Sequence, residues 1–465
     1  MNGKQPQRDQ DSDREPTPHD SGSPGGTGTA GAEALQALTA SHPQRALTVD
    51  LMEQVCSPKN LLRAYRRVRA NKGAPGVDGM FVHQLADWLR EHQEALIASL
   101  RDGTCQPQPV RGVEIPKPGG GKRQLGIPTV VDRLVQQAIL QGLEPLLDPT
   151  FSESSFGFRP KRSAHHALRQ ARKYVSQGRH IVVDFDLEKF FDRVNHDILM
   201  SRLARRVGDK RLLRIVRRFL QAGLMQDGVC VAREEGTPQG GPLSPLLANL
   251  LLDDLDRELE QRGHCFCRYA DDCNIYVWSL KAGQRVMASV VRFLEQTLRL
   301  RVNREKSAVA PVQERKFLGY RLLLNGKMGI APKSLECAKD KIRQITRRHR
   351  GVSLAQVIVE LNGFLKGWFQ YYHLAAFRGD LQRMDAWIRR KLCCFRLKQR
   401  KRGKAIATFL QRQGVPADQA WRIASSGKGW WRLALSPPVK RAMSKEWFSQ
   451  QGLVSLLSRY DALPG

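Results

Sequence analysis

The spacing of apolar residues along this chain changes period several times, and each change marks a boundary. Over 58–72 (PKNLLRAYRRVRANK), about 81–100, 130–147 and 163–177 they recur at helical spacing, which predicts helices burying one stripe each. GAPGVDG (73–79) is a turn cluster between the first two. VEIPKPGGGKRQLGIP (113–128) reads as two β-runs joined by a Gly-rich turn, and HIVVDFDL (180–187) is a short apolar run suited to a buried strand. Helices follow at about 195–205 and 209–222, then a hairpin-like stretch over 223–241. A Ser-led helix is predicted at 244–263, a second hairpin around FCRYADDCNIYV (266–277), a helix at about 282–299 and a β-like KFLGYRLLL (316–324). After Pro332 the pattern is nearly all helical and basic, which predicts a separate α domain. Helical periodicity begins near Ala34; residues 1–33, rich in Gly, Ser, Pro, Thr and Asp, are expected to be a disordered tail. No internal repeat is visible.

Composition narrows the class. The chain has 465 residues, 41% of them hydrophobic, enough for two or three domains with a large core. No apolar run approaches the ~20 residues of a membrane span, and the polar N-terminus does not read as a secretory signal. Net charge is +31, and residues 301–465 hold 34 Lys or Arg against 10 Asp or Glu, so about three quarters of the excess lies in the last third. RRKLCCFRLKQRKRGK (389–404) contains no acid. A regional excess of that size points to a polyanionic partner, whose condensed counterions Lys and Arg displace, rather than to a merely solvated surface. The nine cysteines include no CxxC pair, so free thiols in a reducing, cytoplasmic setting are expected.

The adjacent aspartates of YADD, Asp271 and Asp272, pose a question of chemistry. A turn accommodates Asp readily. A second acidic pair, Asp184 and Asp186, ends the β-run at 180–187, and by strand alternation the two share one face. If that strand lies beside the YADD hairpin, Asp186 and Asp271 face one another across about one strand spacing, ~5 Å. Carboxylates gathered so closely repel unless cations intervene, and Mg²⁺, which prefers hard oxygen ligands, resolves the repulsion. Two such ions clamp the attacking and leaving oxygens of a phosphoryl transfer.

These motifs resemble, in their order along about residues 55–460, the reverse transcriptases encoded by group II introns. GAPGVDG, IPKPGGGKRQLGIPTVVDRLVQQAI, FGFRPKRSAHHAL, VVDFDLEKFFDRVNHDIL, GTPQGGPLSPLLANL, YADD, NREKS and FLGY follow one another, then LNGFLKGWFQYY, DAWIRRKL and GWWRLALSPPV. The resemblance is nearest to the compact bacterial class without an endonuclease domain. It implies an α/β (α+β) right-hand polymerase: palm and fingers with an antiparallel palm sheet, followed by an all-α thumb and maturase domain. The expected division is a tail at 1–33, an N-terminal extension at 34–105, fingers and palm at 106–325, helical thumb/maturase at 326–405 and a basic nucleic-acid-binding region at 406–465.

Family roles carry over to matching positions. Asp186, Asp271 and Asp272 match the catalytic, metal-binding acids, with Asp184 a second choice. Lys117 and Arg123 match the pair gripping the triphosphate, and the backbone at Leu187 touches it. Phe191 matches the residue that stacks under the sugar and excludes a 2′-OH; of Phe190 and Phe191, one is expected to pack inward. Gln239 matches a residue at the templating pair, and Lys306 one near the leaving pyrophosphate. PGGGKR lacks the Ser or Thr of a P-loop. His165, His166 and His196 read as structural.

The resemblance implies an RNA-directed DNA polymerase that also assists splicing of its intron RNA and copies it during mobility, using two Mg²⁺ with Mn²⁺ as a substitute. Implied partners are group II intron RNA, an RNA template with DNA primer, target DNA and dNTPs, in a bacterial cytoplasm and away from membranes. Arg389, Arg390, Lys398, Arg400, Lys401 and Arg402 are the candidate nucleic-acid contacts. Two other functions stay open: a domesticated reverse transcriptase in defence or repair, and a non-catalytic RNA-binding splicing factor.

Overall fold

A computed structural model describes residues 50–116, 121–226, 229–231, 234–238 and 240–463. The expected tail, the onset of periodicity near Ala34, Lys117 and Gln239 lie outside them, and of Arg123 only the backbone is described.

Three helices open the described chain: α1 (Leu51–Val55), α2 (Pro58–Ala70) and α3 (Leu85–Arg101). Ser57 caps α2 by accepting from the Asn60 amide, and Pro58 follows where its missing N–H costs nothing. The buried stripe Asn60, Ala64, Val68 of α2 packs on α4 (Val130–Leu147), whose own cap is Thr129. Between them β1 (Val110–Pro116) and β2 (Lys122–Ile127) form the antiparallel pair expected around the Gly-rich turn, with Gly121 in the left-handed region at φ +78°. β4 (Leu224–Gln226) joins β1 in parallel and β5 (Val229–Val231) joins β4, giving the order β2-β1-β4-β5.

The second sheet is the palm. β3 (Ile181–Phe185), β6 (Cys265–Tyr269), β7 (Asp272–Val277) and β8 (Ala308–Pro311) pair antiparallel throughout in the order β6-β7-β3-β8. Helices α5 (Ala164–Ser176), α6 (His196–Ala204), α7 (Lys210–Gln221), α8 (Ser244–Gln261) and α9 (Leu280–Gln296) are interleaved with its strands. Strand alternation gives the palm two buried faces. Val183, Phe185, Phe266, Cys273 and Ile275 enter one core with the N-terminal helices and α6 to α9. Val182, Cys267 and Tyr276 enter a second core with α5 and the C-terminal helices. Burial on both sides explains why these strands read as continuous apolar runs.

β9 (Tyr320–Leu322) and β10 (Met328–Ile330) form a small hairpin. The stretch 316–324 is therefore not one strand: Leu318 at φ +49° and Gly319 at φ +80° turn the chain before β9 begins. Then come α10 (Pro332–Ile345), α11 (Leu354–Tyr372), α12 (Arg378–Gln399), α13 (Gly403–Arg412) and short helices between 417 and 461. An antiparallel palm, a fingers sheet before it and helices after it make a right-hand polymerase. Among the described residues no helix is long and apolar enough to cross a membrane.

Candidate active site

The hairpin β6–β7 closes tightly. Tyr269 pairs with Asp272, so Ala270 and Asp271 alone make the turn, with Ala270 in the left-handed region at φ +59°. β3 lies beside β7 with Phe185 opposite Cys273, and one further step of that register brings Asp186 opposite Asp272. The aspartates separated by some 85 positions in sequence thus meet at one end of the palm sheet. Backbone bonds fix Asp186 beyond the strand end: its N–H donates to Ser307 Oγ at 3.0 Å and its carbonyl accepts from the Asn303 amide at 2.8 Å.

A cleft of about 580 Å³ opens there. Asp186, Leu187, Phe191, Asp271 and Lys306 line it together with Glu114, Lys122 and Gln124 of the fingers hairpin. Lys306 Nζ lies 3.4 Å from Asp186 Oδ2, and the Asp186 side chain is 45% exposed. Asp272 is half-buried at the head of β7; burial first, then the nearby Asp184 and Asp271 carboxylates, push its pKa up to about 7. Asp184 has a different setting. Arg315 donates to its Oδ2 from Nε at 2.8 Å, with Nη2 2.6 Å away; Asp184, like Asp272, is absent from the cleft wall.

Phe190 and Phe191 divide as expected: Phe190 is buried in the first core, while Phe191 is half-buried with its ring 5.1 Å from Phe190 edge-on. Thr237 and Gly240 of the GTPQGG segment reach the turn after β3 and the fingers strand β2. Thr237 N–H donates to the Phe191 carbonyl at 2.6 Å, and a β-carbon at Gly240 would meet the Gly126 carbonyl at 2.6 Å. His196 holds the same loop through Nε2 to the Gly236 carbonyl, 2.6 Å, which agrees with a structural part.

None of the six C-terminal basic residues lines the cleft. Arg390 lies 3.7 Å over the Trp431 ring and donates to that residue's carbonyl at 2.8 Å. Arg400 lies 4.7 Å over Phe409. Arg389 is half-buried, whereas Lys398, Lys401 and Arg402 are exposed.

Paired sheet, cleft and clustered acids define a template-directed nucleotidyl polymerase. Residues 115–322 match the reverse transcriptase (RNA-dependent DNA polymerase) family and residues 335–414 the group II intron maturase-specific domain. Protein YkfC of Escherichia coli (strain K12) is 35% identical over 315 residues, spanning 59% of this chain and 82% of the relative. The group II intron-encoded protein LtrA of Lactococcus lactis subsp. cremoris is 38% identical over 195 residues, 42% of this chain but only 32% of LtrA. The chain belongs to the group II intron reverse transcriptase/maturase family. It is an RNA-directed DNA polymerase with a maturase domain, and RNA is its partner.

Several cleft residues lie in or beside the motifs without being singled out by them. Glu114, Lys122, Gln124, Lys189 and Asn303 reach it from the fingers hairpin, the turn after β3 and the loop before β8. Lys122 pairs with Glu114 at 2.5 Å across the β1–β2 ladder. The period-2 alternation that puts Lys122 and Gln124 on one face of β2 was the available signal.

Proposed function

We propose that this chain copies group II intron RNA into DNA from a DNA primer at the cleft between fingers and palm, and that its C-terminal region holds the intron RNA as a maturase. The observation that carries this reading is the convergence of Asp186 and Asp271 on one cleft with Phe191, Leu187 and Lys306.

The reaction of this family requires a divalent metal. Among the described residues no three carboxylate, imidazole or thiol groups stand close enough to hold an ion as they are arranged here. The donor chemistry nevertheless fits: hard oxygens only, with Asp272 pushed up to about 7 by burial and neighbouring carboxylates, a crowding that a cation relieves. Asp186, Asp271 and Asp272 would hold two Mg²⁺ ions. When bound, these supply charge neutralisation for the attacking 3′-oxygen and the leaving pyrophosphate.

The chain's own residues do the rest. The exposed Asp186 and the turn residue Asp271 bring negative charge to the end of the sheet that faces the fingers. Phe191 sets the floor on which a sugar stacks. The backbone at Leu187 would offer hydrogen bonds to the triphosphate, and the resemblance assigns its grip to Lys117 and Arg123. The resemblance assigns Gln239 to the templating pair. Lys306 neutralises Asp186 before substrate arrives and then turns to the departing phosphates, where its ammonium donates a proton. Target DNA, a bacterial cytoplasm and the division of the chain at about 105, 325 and 405 belong to the same reading.

The test is primer extension. Purified protein should extend a DNA primer on an RNA template with Mg²⁺ and dNTPs, and Asp271→Asn should lower the rate at least about 10²-fold while RNA binding stays nearly intact. Near-normal extension by Asp271→Asn would overturn the metal assignment.

A further inference from the structure

Arg268 immediately precedes the YADD turn and is completely buried. An arginine carries five N–H groups, and all five have partners here. Nε donates to Asp256 Oδ1 at 2.7 Å and Nη2 to Asp256 Oδ2 at 2.5 Å, a bidentate fork. Nη2 also donates to Ser155 Oγ at 2.8 Å. Nη1 donates to Asn249 Oδ1 and to the carbonyl of Ala270, both at 2.9 Å. That last bond reaches into the two-residue turn carrying Asp271.

The same neighbours press on the turn from outside. Asn249 Nδ2 donates to the Gly157 carbonyl at 2.8 Å, and a β-carbon at Gly157 would stand 2.3 Å from the Ala270 nitrogen. The segment before Gly157 runs along β6, with Arg268 N–H bonded to the Ser154 carbonyl at 2.9 Å and Phe156 N–H to the Arg268 carbonyl at 2.8 Å. Ala270 meanwhile adopts a backbone conformation that a residue with a β-carbon disfavours, so its surroundings must impose it. Asn249 and Asp256 sit at i and i+7 on the buried face of α8, which anchors the assembly in the first core.

We propose that Arg268, braced by Asp256, Asn249 and Ser155 and opposed by Gly157, is a positioning residue that fixes the left-handed turn at Ala270 and so sets where Asp271 and Asp272 stand. The proposal rests on the catalytic reading of those aspartates. A buried ion pair adds little net stability over apolar residues of like size, so the cost of building this one is matched to geometry rather than to stability. The planar fork is essential: a lysine at 268 keeps the charge but cannot reach Asp256, Asn249 and the Ala270 carbonyl together.

The experiment compares wild type with R268K, N249A and G157A, the last adding a β-carbon against the turn. Three quantities are measured: kcat and KM for single-nucleotide addition, affinity for a primer–template, and amide hydrogen exchange of the segment 266–277. R268K and G157A should lose about 10²-fold in kcat, with KM for dNTP and primer–template affinity within about twofold. N249A should fall between them and wild type. Exchange should quicken at the turn amides while the rest of the palm sheet keeps its protection. If R268K fails to fold, N249A and G157A decide on the same readings. Unchanged kcat and unchanged turn exchange in folded variants would overturn the proposal, leaving Arg268 a packing residue. If Asp271→Asn retains activity but the variants still show faster turn exchange, the catalytic reading fails and the clamp stands.

Discussion

Arg315 brackets one oxygen of Asp184 with two guanidinium nitrogens, 2.8 and 2.6 Å from Oδ2, and a third contact ties its Nη2 to the Lys306 carbonyl at 2.7 Å. The pair ties Asp184 up and, of the two acids at the end of β3, leaves Asp186 lining the cleft. Asp184→Asn should therefore reduce nucleotide addition far less than Asp186→Asn, which should lose at least about 10²-fold. Arg315→Ala, which strands a largely buried carboxylate, should lower unfolding free energy by about 2 kcal/mol. Steady-state extension and denaturant melts of the three variants check this; equal losses for the two aspartates would return Asp184 to the metal site.

Sugar choice is readable at Phe191. Its ring is half-buried against Phe190 and forms part of the cleft wall, so truncation removes bulk from the floor without opening the core. Phe191→Ala should raise ribonucleotide use relative to dNTP use by about 10–100-fold. Competitive single-nucleotide incorporation measures the ratio. Unchanged selectivity in an active variant would move the gate to Phe190 or to the backbone.

Basic residues of the C-terminal region separate into two kinds. Arg390 and Arg400 lie over Trp431 and Phe409, so removing them costs packing as well as charge. Lys398, Lys401 and Arg402 are exposed. Neutralising these three should lower the salt slope of intron RNA binding by about 2–3 units, with melting unchanged and short primer extension little affected. Filter binding at several salt concentrations tests it, and equal losses in binding and processivity would make this part of the thumb's grip on the duplex.

Acid should loosen the joint between palm and helical domain. His165 on α5 gives its Nε2 proton to the Tyr371 carbonyl of α11 at 2.7 Å, with the His373 ring 4.8 Å away. Burial depresses its pKa below the ordinary 6.5, and His373, Arg169 and His166 push the same way, while the Tyr371 bond opposes them. A depressed basic group stabilises the fold above its unfolded pKa, and that contribution fades as pH falls below about 6.5. His165→Gln should show a smaller loss of denaturant midpoint than wild type between about pH 7.5 and pH 5. Parallel losses would mean the titrating group lies elsewhere.

Elements with a strong period were legible in the chain. The helix expected at 130–147 spans those residues, and the acids of DFDL and YADD meet at one end of the palm sheet because β3 and β7 are neighbours. β8 was not legible: Ala308–Pro311 has four residues and no alternation, and becomes a strand only because β3 offers it an edge. Arg315 escaped for a related reason, since nothing local links it to an acid 131 positions earlier. The Arg268 assembly did leave a trace. Asn249, Asp253 and Asp256 interrupt an otherwise apolar helix face at i, i+4 and i+7, and polar residues buried that way need partners.

The palm sheet is a party wall. Val182, Cys267 and Tyr276 on its far side share one core with α5, which packs directly on β6 and β7, and with the helices that follow residue 332, so the polymerase shares part of its insulation with the maturase domain next door. Cutting the chain there would leave α5 on the sheet but bare the rest of that shared core, an apolar patch apt to aggregate. Mutations that loosen the maturase helices therefore reach the polymerase through shared shelter rather than through any signal between the two. A lineage that no longer needs splicing help would still have to keep those helices folded for as long as it needs the enzyme.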